Sequence, residues 1–207
     1  MARPTRNDTR HQQNRRAEIA DRAARLIATE GLTDYAAAKQ KAARQLGVTT
    51  SMSLPNNQEI ESALEAYQSL FQRQTQPMEC QAARVAALEV MRWLDQFAPW
   101  LVGAVFSGTA NHFSAIELEI IGHDAKALDL FLLNEQVSYS TTPLKSTSLR
   151  RDAKPSTPLL IYKFIVDSYP VSLALFPNHA SREAYHGDHG FKQARAQRKE
   201  VAALLGI

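Results

Sequence analysis

The stretch that decides the fold class is residues 100–121, which read WLVGAVFSGTANHFSAIELEII. Its first part, 100–106, is mostly apolar, and its last part, 116–121, alternates isoleucine or leucine with glutamate before ending in two isoleucines. Both patterns are typical of short β-strands. We therefore predict two strands that are close in sequence and joined by a loop containing glycine and serine.

The segments after this stretch continue a mixed pattern of strands and helices. A helix is predicted over 124–134, where the first residue can act as the N-cap. Residues 138–158 are rich in Ser, Thr, Lys and Pro and are typical of a mobile connection. Apolar and β-branched runs over 159–166 and 171–176 flank a turn and predict a β-hairpin. A closing helix is expected over about 191–205.

The N-terminal part of the chain predicts helices only. Apolar residues recur at helical spacing over four segments, and residues typical of helix ends stand at several of their boundaries. The pattern changes from helical to mixed after Pro99. The four helices are expected at about 17–30, 35–46, 57–73 and 77–97.

The loop and the second strand of the deciding stretch carry spaced glycine, serine and acidic residues. Gly103 and Gly108 lie in the loop, Ser114 precedes the strand, and Glu117 lies within it. This pattern resembles the signature of the nucleotidyltransferase fold of the DNA polymerase β superfamily, in which Gly-Ser at a strand end is followed by Ser-Asp-x-Asp. The resemblance spans about residues 77–176, and some bacterial proteins are similar in having a helical N-terminus before a nucleotidyltransferase-like half.

The resemblance implies a phosphate-binding loop and an acidic pair that holds divalent metal ions. Ala104 and Ala115 stand where the family has its phosphate-binding serine and its first acidic residue. Ser107 can replace that serine, and Glu117 and Glu119, which share one strand face, can form a displaced acidic pair. The predicted phosphate-binding residues are Gly103, Ser107 and Gly108, and the predicted catalytic and Mg²⁺-binding residues are Glu117 and Glu119.

Two interpretations of this acidic pair remain open. Active members of the superfamily add a third carboxylate from a later strand, but Ser172 and Ala174 stand at the alternating positions of the hairpin. Glu117 and Glu119 can also be the acidic solvent face of a half-exposed strand. The predicted function is therefore binding of a nucleoside triphosphate or another phosphate-bearing ligand, with or without nucleotidyl transfer.

The N-terminal quarter of the chain is its basic part. Residues 1–50 hold 10 Lys and Arg against 5 Asp and Glu, whereas the formal net charge of the whole chain is only +3. Early arginines lie among Asn, Gln and Thr, which is typical of a solvated arm that can contact phosphates or of a tail with ordinary surface charge. The alternative function is thus non-catalytic nucleic-acid binding, with Arg6, Arg10, Arg15 and Arg16 as the candidate contacts.

These observations together predict an α+β protein. A helical N-terminal region is followed by a small nucleotidyltransferase-like domain with a mixed β-sheet. The predicted parts are a basic flexible arm over 1–15, a helical region over 16–73 and the nucleotidyltransferase-like α/β domain over 77–207.

Several other classes of protein are disfavoured by the sequence. No run of about 18 uncharged apolar residues predicts a membrane-spanning helix, so no membrane partner is expected. The single cysteine, Cys80, cannot form an internal disulfide, and we expect a cytoplasmic protein. His179, His186 and His189 are interpreted as exposed loop residues rather than as zinc ligands, because their spacing has no known geometric reason.

Overall fold

The computed structural model describes residues 6–32, 34–48, 54–143, 159–188 and 194–207. The predicted α+β class is confirmed, since a helical region precedes a five-stranded mixed sheet. The chain divides into two compact units, Met1–Gln76 and Pro77–Ile207. No helix in the described part of the chain is long and apolar enough to cross a membrane.

The first unit consists of three helices, α1 (Arg6–Glu30), α2 (Tyr35–Gln45) and α3 (Asn57–Phe71). The Asp34 side chain accepts a hydrogen bond from Ala36 N at 2.7 Å and so caps the start of α2. The start of α3 is fixed by a capping box between Asn56 and Glu59. Buried apolar residues of the three helices form one core, which includes Ile19, Ala23, Leu26, Ala38, Ala42, Ile60 and Leu64.

Helix α1 begins earlier than the sequence pattern indicated. It starts at Arg6 rather than near residue 17, so described residues of the predicted 1–15 arm are helical, and residues 1–5 lie outside the described range. The chain has no glycine or proline from Arg6 to Glu30, and arginine and glutamine favour helices. Residues 11–15 are all exposed, and therefore this part of the helix shows no apolar periodicity in the sequence.

The second unit is built on the sheet order β1-β2-β5-β4-β3. Strands β2 and β5 are parallel, and the other neighbouring pairs are antiparallel. The two-residue turn between β4 and β5 places Asp167 and Ser168 at positive φ, as a tight hairpin turn requires. In chain order the elements are α4 (Gln76–Trp93), a 3-10 turn (Asp95–Phe97), β1 (Trp100–Val102), α5 (Gly103–Ser107), β2 (Ile116–Ile121), α6 (Ala125–Asn134), β3 (Tyr139–Pro143), β4 (Leu160–Val166), β5 (Tyr169–Phe176), α7 (His179–Asp188) and α8 (Arg198–Leu204).

One face of this sheet is apolar and belongs to the core of the second unit. On β2, Ile116, Leu118 and Ile120 are buried and alternate with the two glutamates. They form one cluster with Leu88 and Met91 of α4 and with buried residues of α6 and the other strands. The two-residue period of the strand therefore directs the glutamates to the opposite face, which carries the candidate site.

Four segments differ from the sequence-based expectations. The predicted strand over 100–106 is a strand only to Val102, because Gly103 has a φ of +69° and α5 begins there. Part of the predicted connection, Tyr139–Pro143, is an edge strand paired with β4, while residues 144–158 lie outside the described range. His179 and His186 lie in helix α7 over His179–Asp188, His189 lies outside the described range, and the closing helix begins at Arg198.

Candidate functional site

The candidate site lies on the side of the sheet opposite the apolar core, here called the polar face. Strand register places Val102, Glu117, Ser172 and Lys163 side by side in one row across β1, β2, β5 and β4. A second row, two residues along each strand, contains Trp100, Glu119, Ala174 and Ile161. Directly opposed residues share a face of a sheet, so the two predicted acidic residues are neighbours on the polar face.

Glu117 is a carboxylate without a partner on the polar face. Among the residues that the structure describes, none forms a hydrogen bond or an ion pair with its side chain. It is only partly exposed, and burial, followed by the negative charge of Glu119, raises the pKa of Glu117 above its usual value. A desolvated acid of this kind favours a proton, a cation or a hydrogen-bond donor as its neighbour.

The Glu117 side chain lies against the first residue of α5. A methyl group placed on Gly103 would be 2.6 Å from Glu117 Cδ, which is closer than a real Cβ contact allows. Gly103 therefore leaves room for the carboxylate, in addition to accepting the positive φ at which β1 turns into α5. This contact links the glycine and the acidic residue that carry the sequence resemblance.

Glu119 differs from Glu117 because it has a buried cationic partner. Its side chain is 2% exposed and accepts a hydrogen bond from Nε of Arg182 on α7. Arg182 is itself buried, so the pair keeps two opposite charges together away from water. Sequence reasoning missed Arg182, because an arginine in a segment interpreted as a loop gives no signal of a contact 63 residues away.

The two predicted metal ligands are thus side by side but not equivalent. The Glu119 carboxylate is occupied by a guanidinium group, whereas the Glu117 carboxylate has no such partner among the described residues. Mg²⁺ is usually held by one or two carboxylates together with substrate phosphates and water. Glu117 is therefore the one of the two glutamates that could contribute a ligand to a cation, and no group of three or more His, Cys, Asp or Glu side chains in the described part of the chain is arranged to hold a metal ion.

The predicted phosphate-binding residues lie at the two ends of α5. Gly103 begins this helix, while Gly108, with a φ of +93°, ends it. Five helical residues span about 7 Å, so the structure does not bring the two glycines together in one loop. Ser107 is exposed, and its Oγ lies 3.0 Å from Thr109 Oγ1.

Arg84 of α4 holds the end of α5 in position. Its Nε donates a hydrogen bond to Val105 O at 3.0 Å, and one terminal nitrogen donates to Phe106 O at 3.1 Å. The same guanidinium lies 3.2 Å from the position a Cβ on Gly108 would take. A cation at the C-terminal carbonyls satisfies groups that a helix end leaves unpaired, so Arg84 is a positioning residue that the sequence did not reveal.

A second missed arginine, Arg195, lies in the segment before α8. Ala196 and Leu101 exchange two backbone hydrogen bonds of 2.9 and 3.0 Å, which join this segment to the outer edge of β1. Ala196 and Leu101 are both buried in the apolar core, so the adjacent Arg195 lies on the polar side. Its guanidinium carbon is 3.9 Å from the centroid of the Trp100 ring.

The candidate nucleic-acid contacts do not form one described group. Arg6 and Arg10 belong to α1, but their side chains lie outside what the structure describes. Arg15 is exposed. Arg16 donates to both carboxylate oxygens of Glu59, at 3.2 and 2.7 Å, and so joins α1 to α3.

No protein-family model matches the chain, and no curated protein matches it at a significant level. The assignment of function therefore rests on the residues of the polar face and on the sequence resemblance.

Proposed function

We propose that this protein binds a nucleoside triphosphate or a related phosphate-bearing ligand on the polar face, in the manner of a nucleotidyltransferase-like domain. One Mg²⁺ ion is held between Glu117 and the phosphates in this proposal. The single observation that carries it is the partly buried Glu117 carboxylate, which has no partner among the described residues and lies against Gly103. A ligated cation would remove the cost of keeping that charge out of water.

The charge of the polar face supports an anionic ligand. Glu117 and Glu119 are accompanied by Lys163 in the first row and by Arg182 and Arg195 at the side of the second. Glu183, whose negative charge also acts on Arg195, adds a third carboxylate, so the described charges balance, but neither Lys163 nor Arg195 forms an ion pair within the described residues. A cation without an ion-pair partner attracts anions at short range.

Binding rather than nucleotidyl transfer is the activity that this arrangement favours. Two-metal transfer needs carboxylates that hold both ions beside the reacting phosphate. Glu119 is committed to Arg182, and β5 offers Ser172 and Ala174 at the positions beside the glutamates. Magnesium, when bound, supplies charge neutralisation between Glu117 and the ligand phosphates, while the Ser172 hydroxyl is available as a hydrogen-bonding group in the same row.

Equilibrium binding of labelled ribonucleoside triphosphates, with and without Mg²⁺, tests this proposal. We expect Mg²⁺-dependent binding to the intact chain and a loss of about tenfold or more in Glu117→Gln, because the neutral amide is a far weaker magnesium ligand. Glu89→Gln is the matched control, since Glu89 is an exposed residue of α4 paired with Arg92. Equal affinities of the intact chain and Glu117→Gln would refute the assignment of the site.

A second candidate function, nucleic-acid binding by the start of α1, is favoured by one observation. Residues 11–15 are all exposed over more than one helical turn, so Arg15 is available to a phosphate backbone. Binding of this kind weakens steeply with salt. The combined variant Arg6→Gln, Arg10→Gln and Arg15→Gln should then flatten the dependence of affinity on salt concentration, whereas Arg25→Gln, an exposed residue further along α1, serves as the control. Salt-independent retention on DNA and RNA would contradict this second candidate.

A further inference from the structure

The guanidinium group of Arg195 has an unused hydrogen-bond donor. One of its terminal nitrogens is buried and has no hydrogen-bond partner among the residues that the structure describes. An unsatisfied buried donor costs free energy, and in native proteins such groups often belong to functional sites. The free donor on Arg195 therefore requires an explanation that the fold alone does not supply.

The position of Arg195 is fixed by contacts that do not use this donor. The Trp100 ring stacks against the guanidinium at 3.9 Å, and the backbone bridge between Ala196 and Leu101 anchors the adjacent residue. A guanidinium stacked on an aromatic ring keeps its in-plane N–H donors free for an acceptor at its edge. Arg195 is thus held in one orientation before any ligand binds, which reduces the entropy lost on binding.

Arg195 lies among charges of both signs but has no ion pair of its own in the described structure. Burial, followed by the positive charge of Arg182, lowers the pKa of Arg195 from its usual value, and the negative charges of Glu119 and Glu183 oppose this shift. Arg182 already binds Glu119, and no carboxylate in the described part of the chain forms an ion pair with Arg195. A partly buried guanidinium without an ion pair can take a phosphate group as its counter-charge.

The glycine loop that the sequence predicted for phosphate is less suited to this task. The Glu117 carboxylate lies against Gly103, so in the absence of a bound cation an anion at that end of α5 would meet a like charge. At the other end the Arg84 guanidinium lies over Gly108 and already donates to the carbonyl groups of Val105 and Phe106. Arg84 already supports the carbonyl end of α5, whereas the buried terminal nitrogen of Arg195 has no hydrogen-bond partner in the described structure.

We propose that Arg195 is the phosphate-binding residue of the polar face and that its planar guanidinium receives a phosphate group of the ligand in place of the glycine loop. This assignment deepens the proposed function and rests on it for the identity of the ligand. Arg182 acts beside it as a positioning residue, because its ion pair with Glu119 neutralises the carboxylate that would otherwise occupy Arg195. Trp100 keeps the guanidinium in the orientation required for binding.

Calorimetric titration with inorganic pyrophosphate, in a buffer with a chelator and no divalent metal, tests the anion site alone. We expect the intact chain to bind pyrophosphate. Arg195→Gln should bind it with an affinity at least about tenfold lower, since hydrogen bonds to charged groups are among the stronger ones. Arg195→Lys should recover part of the affinity, because a lysine keeps the charge but lacks the planar pair of donors. Arg92→Gln, an exposed arginine of α4, is the charge-matched control and should bind as the intact chain does.

Melting curves of each variant separate loss of binding from loss of folding. If Arg195→Gln fails to fold, Arg195→Lys, which keeps the charge, still measures the contribution of the planar guanidinium to pyrophosphate affinity. Glu117→Gln should bind pyrophosphate more tightly than the intact chain, because it removes a negative charge from the polar face. Absence of pyrophosphate binding in the intact chain, or equal affinity in the intact chain and both Arg195 variants, would overturn the assignment of Arg195.

This inference and the proposed function can fail separately. Nucleotide binding that depends on Mg²⁺ and Glu117 but is unchanged in Arg195→Gln would leave the proposed function standing and remove the inference. Pyrophosphate binding that depends on Arg195, without any Mg²⁺-dependent nucleotide binding, would support the anion site at Arg195 and refute a nucleotide as its ligand.

Discussion

The two faces of the five-stranded sheet are built by the same strands but are stabilised in different ways. On the apolar face, Ile116, Leu118 and Ile120 of β2 are buried among other hydrophobic side chains, and burial alone accounts for their position. On the polar face, the alternating residues are Glu117 and Glu119, and Glu119 is as buried as the core. Burial of a charge costs free energy, so this face depends on specific partners.

The difference between the faces also supports the proposal that the polar face is the one that binds a ligand. A sheet face that merely meets solvent leaves its charged residues exposed, where they cost nothing. Here one glutamate is covered and paired with Arg182, and the other is partly covered without a partner in the described structure. An arrangement that costs stability and is not compensated within the fold is typical of a ligand site.

The largest loss of stability is expected from removal of Arg182, the cationic partner of Glu119 on the polar face. Arg182→Met leaves Glu119 buried without its charge partner, and loss of one member of a buried ion pair costs about 3–5 kcal/mol of the free energy of unfolding. Chemical denaturation measures this change. The unfolding of the second unit is followed by the fluorescence of Trp93 and Trp100, which both lie in it. The double variant Arg182→Met with Glu119→Leu should recover most of the loss, because no buried charge remains. A double variant as unstable as Arg182→Met would show that packing rather than charge holds α7 at this place.

A slightly smaller loss is expected on the apolar face. Leu118→Ala opens a cavity at a residue that is 1% exposed, and such substitutions cost about 2–5 kcal/mol. Leu118→Met, which nearly conserves volume, should cost under about 1.5 kcal/mol. In contrast to the polar face, no second substitution of a single partner should restore stability, since many neighbours share the contact. Equal stability of Leu118→Ala and the intact chain would exclude Leu118 from the core.

The sequence predicted most of this contrast, because strand alternation is a local property. The period of two in 116–121 separated Ile and Leu from Glu, and the run of apolar residues on either side of Asp167 and Ser168 predicted the hairpin. The helix after Asp124 was likewise predicted from its N-cap, and Asp124 does accept from Lys126 N at 3.3 Å. Each of these features is decided by neighbouring residues, which a single sequence displays.

The residues that complete the site could not be predicted in this way. Arg84, Arg182 and Arg195 reach the site from α4, α7 and the segment before α8, and only tertiary packing brings them together. The predicted strand over 100–106 failed for a related reason: apolar Ala104–Phe106 suits a strand or a buried helix equally, and Gly103 decides between them. Strand β3 was missed because its polar residues pair at a sheet edge.

A moderate loss of stability is expected when the contacts that hold the end of α5 are removed. Arg84→Met removes two hydrogen bonds to the carbonyl groups of Val105 and Phe106 but keeps much of the side-chain volume. A cost of about 1–3 kcal/mol follows, since those acceptors lose a charged donor. If the proposed site is correct, the affinity for Mg²⁺-nucleotide should also fall, because α5 positions Gly103 against Glu117. Unchanged amide protection of 103–110 in hydrogen exchange would contradict this role for Arg84.

The smallest expected change is a gain in stability, and it follows from substitution of Glu117. The pKa of Glu117 is raised in the folded chain, so folding penalises its charged form. This penalty is absent below the unfolded pKa, grows as pH rises from there through the folded pKa, and is complete above it. Glu117→Gln removes the penalty and should be more stable than the intact chain near pH 7, whereas the two should converge toward pH 4.

Thermal unfolding of the two proteins over this pH range measures the difference directly, and Glu89→Gln should show no comparable trend because Glu89 is exposed. A residue that weakens the fold while it is charged, and whose replacement abolishes Mg²⁺-dependent binding, serves the ligand rather than the fold. A difference that is constant with pH would mean that Glu117 is already satisfied without a ligand, and the polar face would then be a structural counterpart of the apolar one.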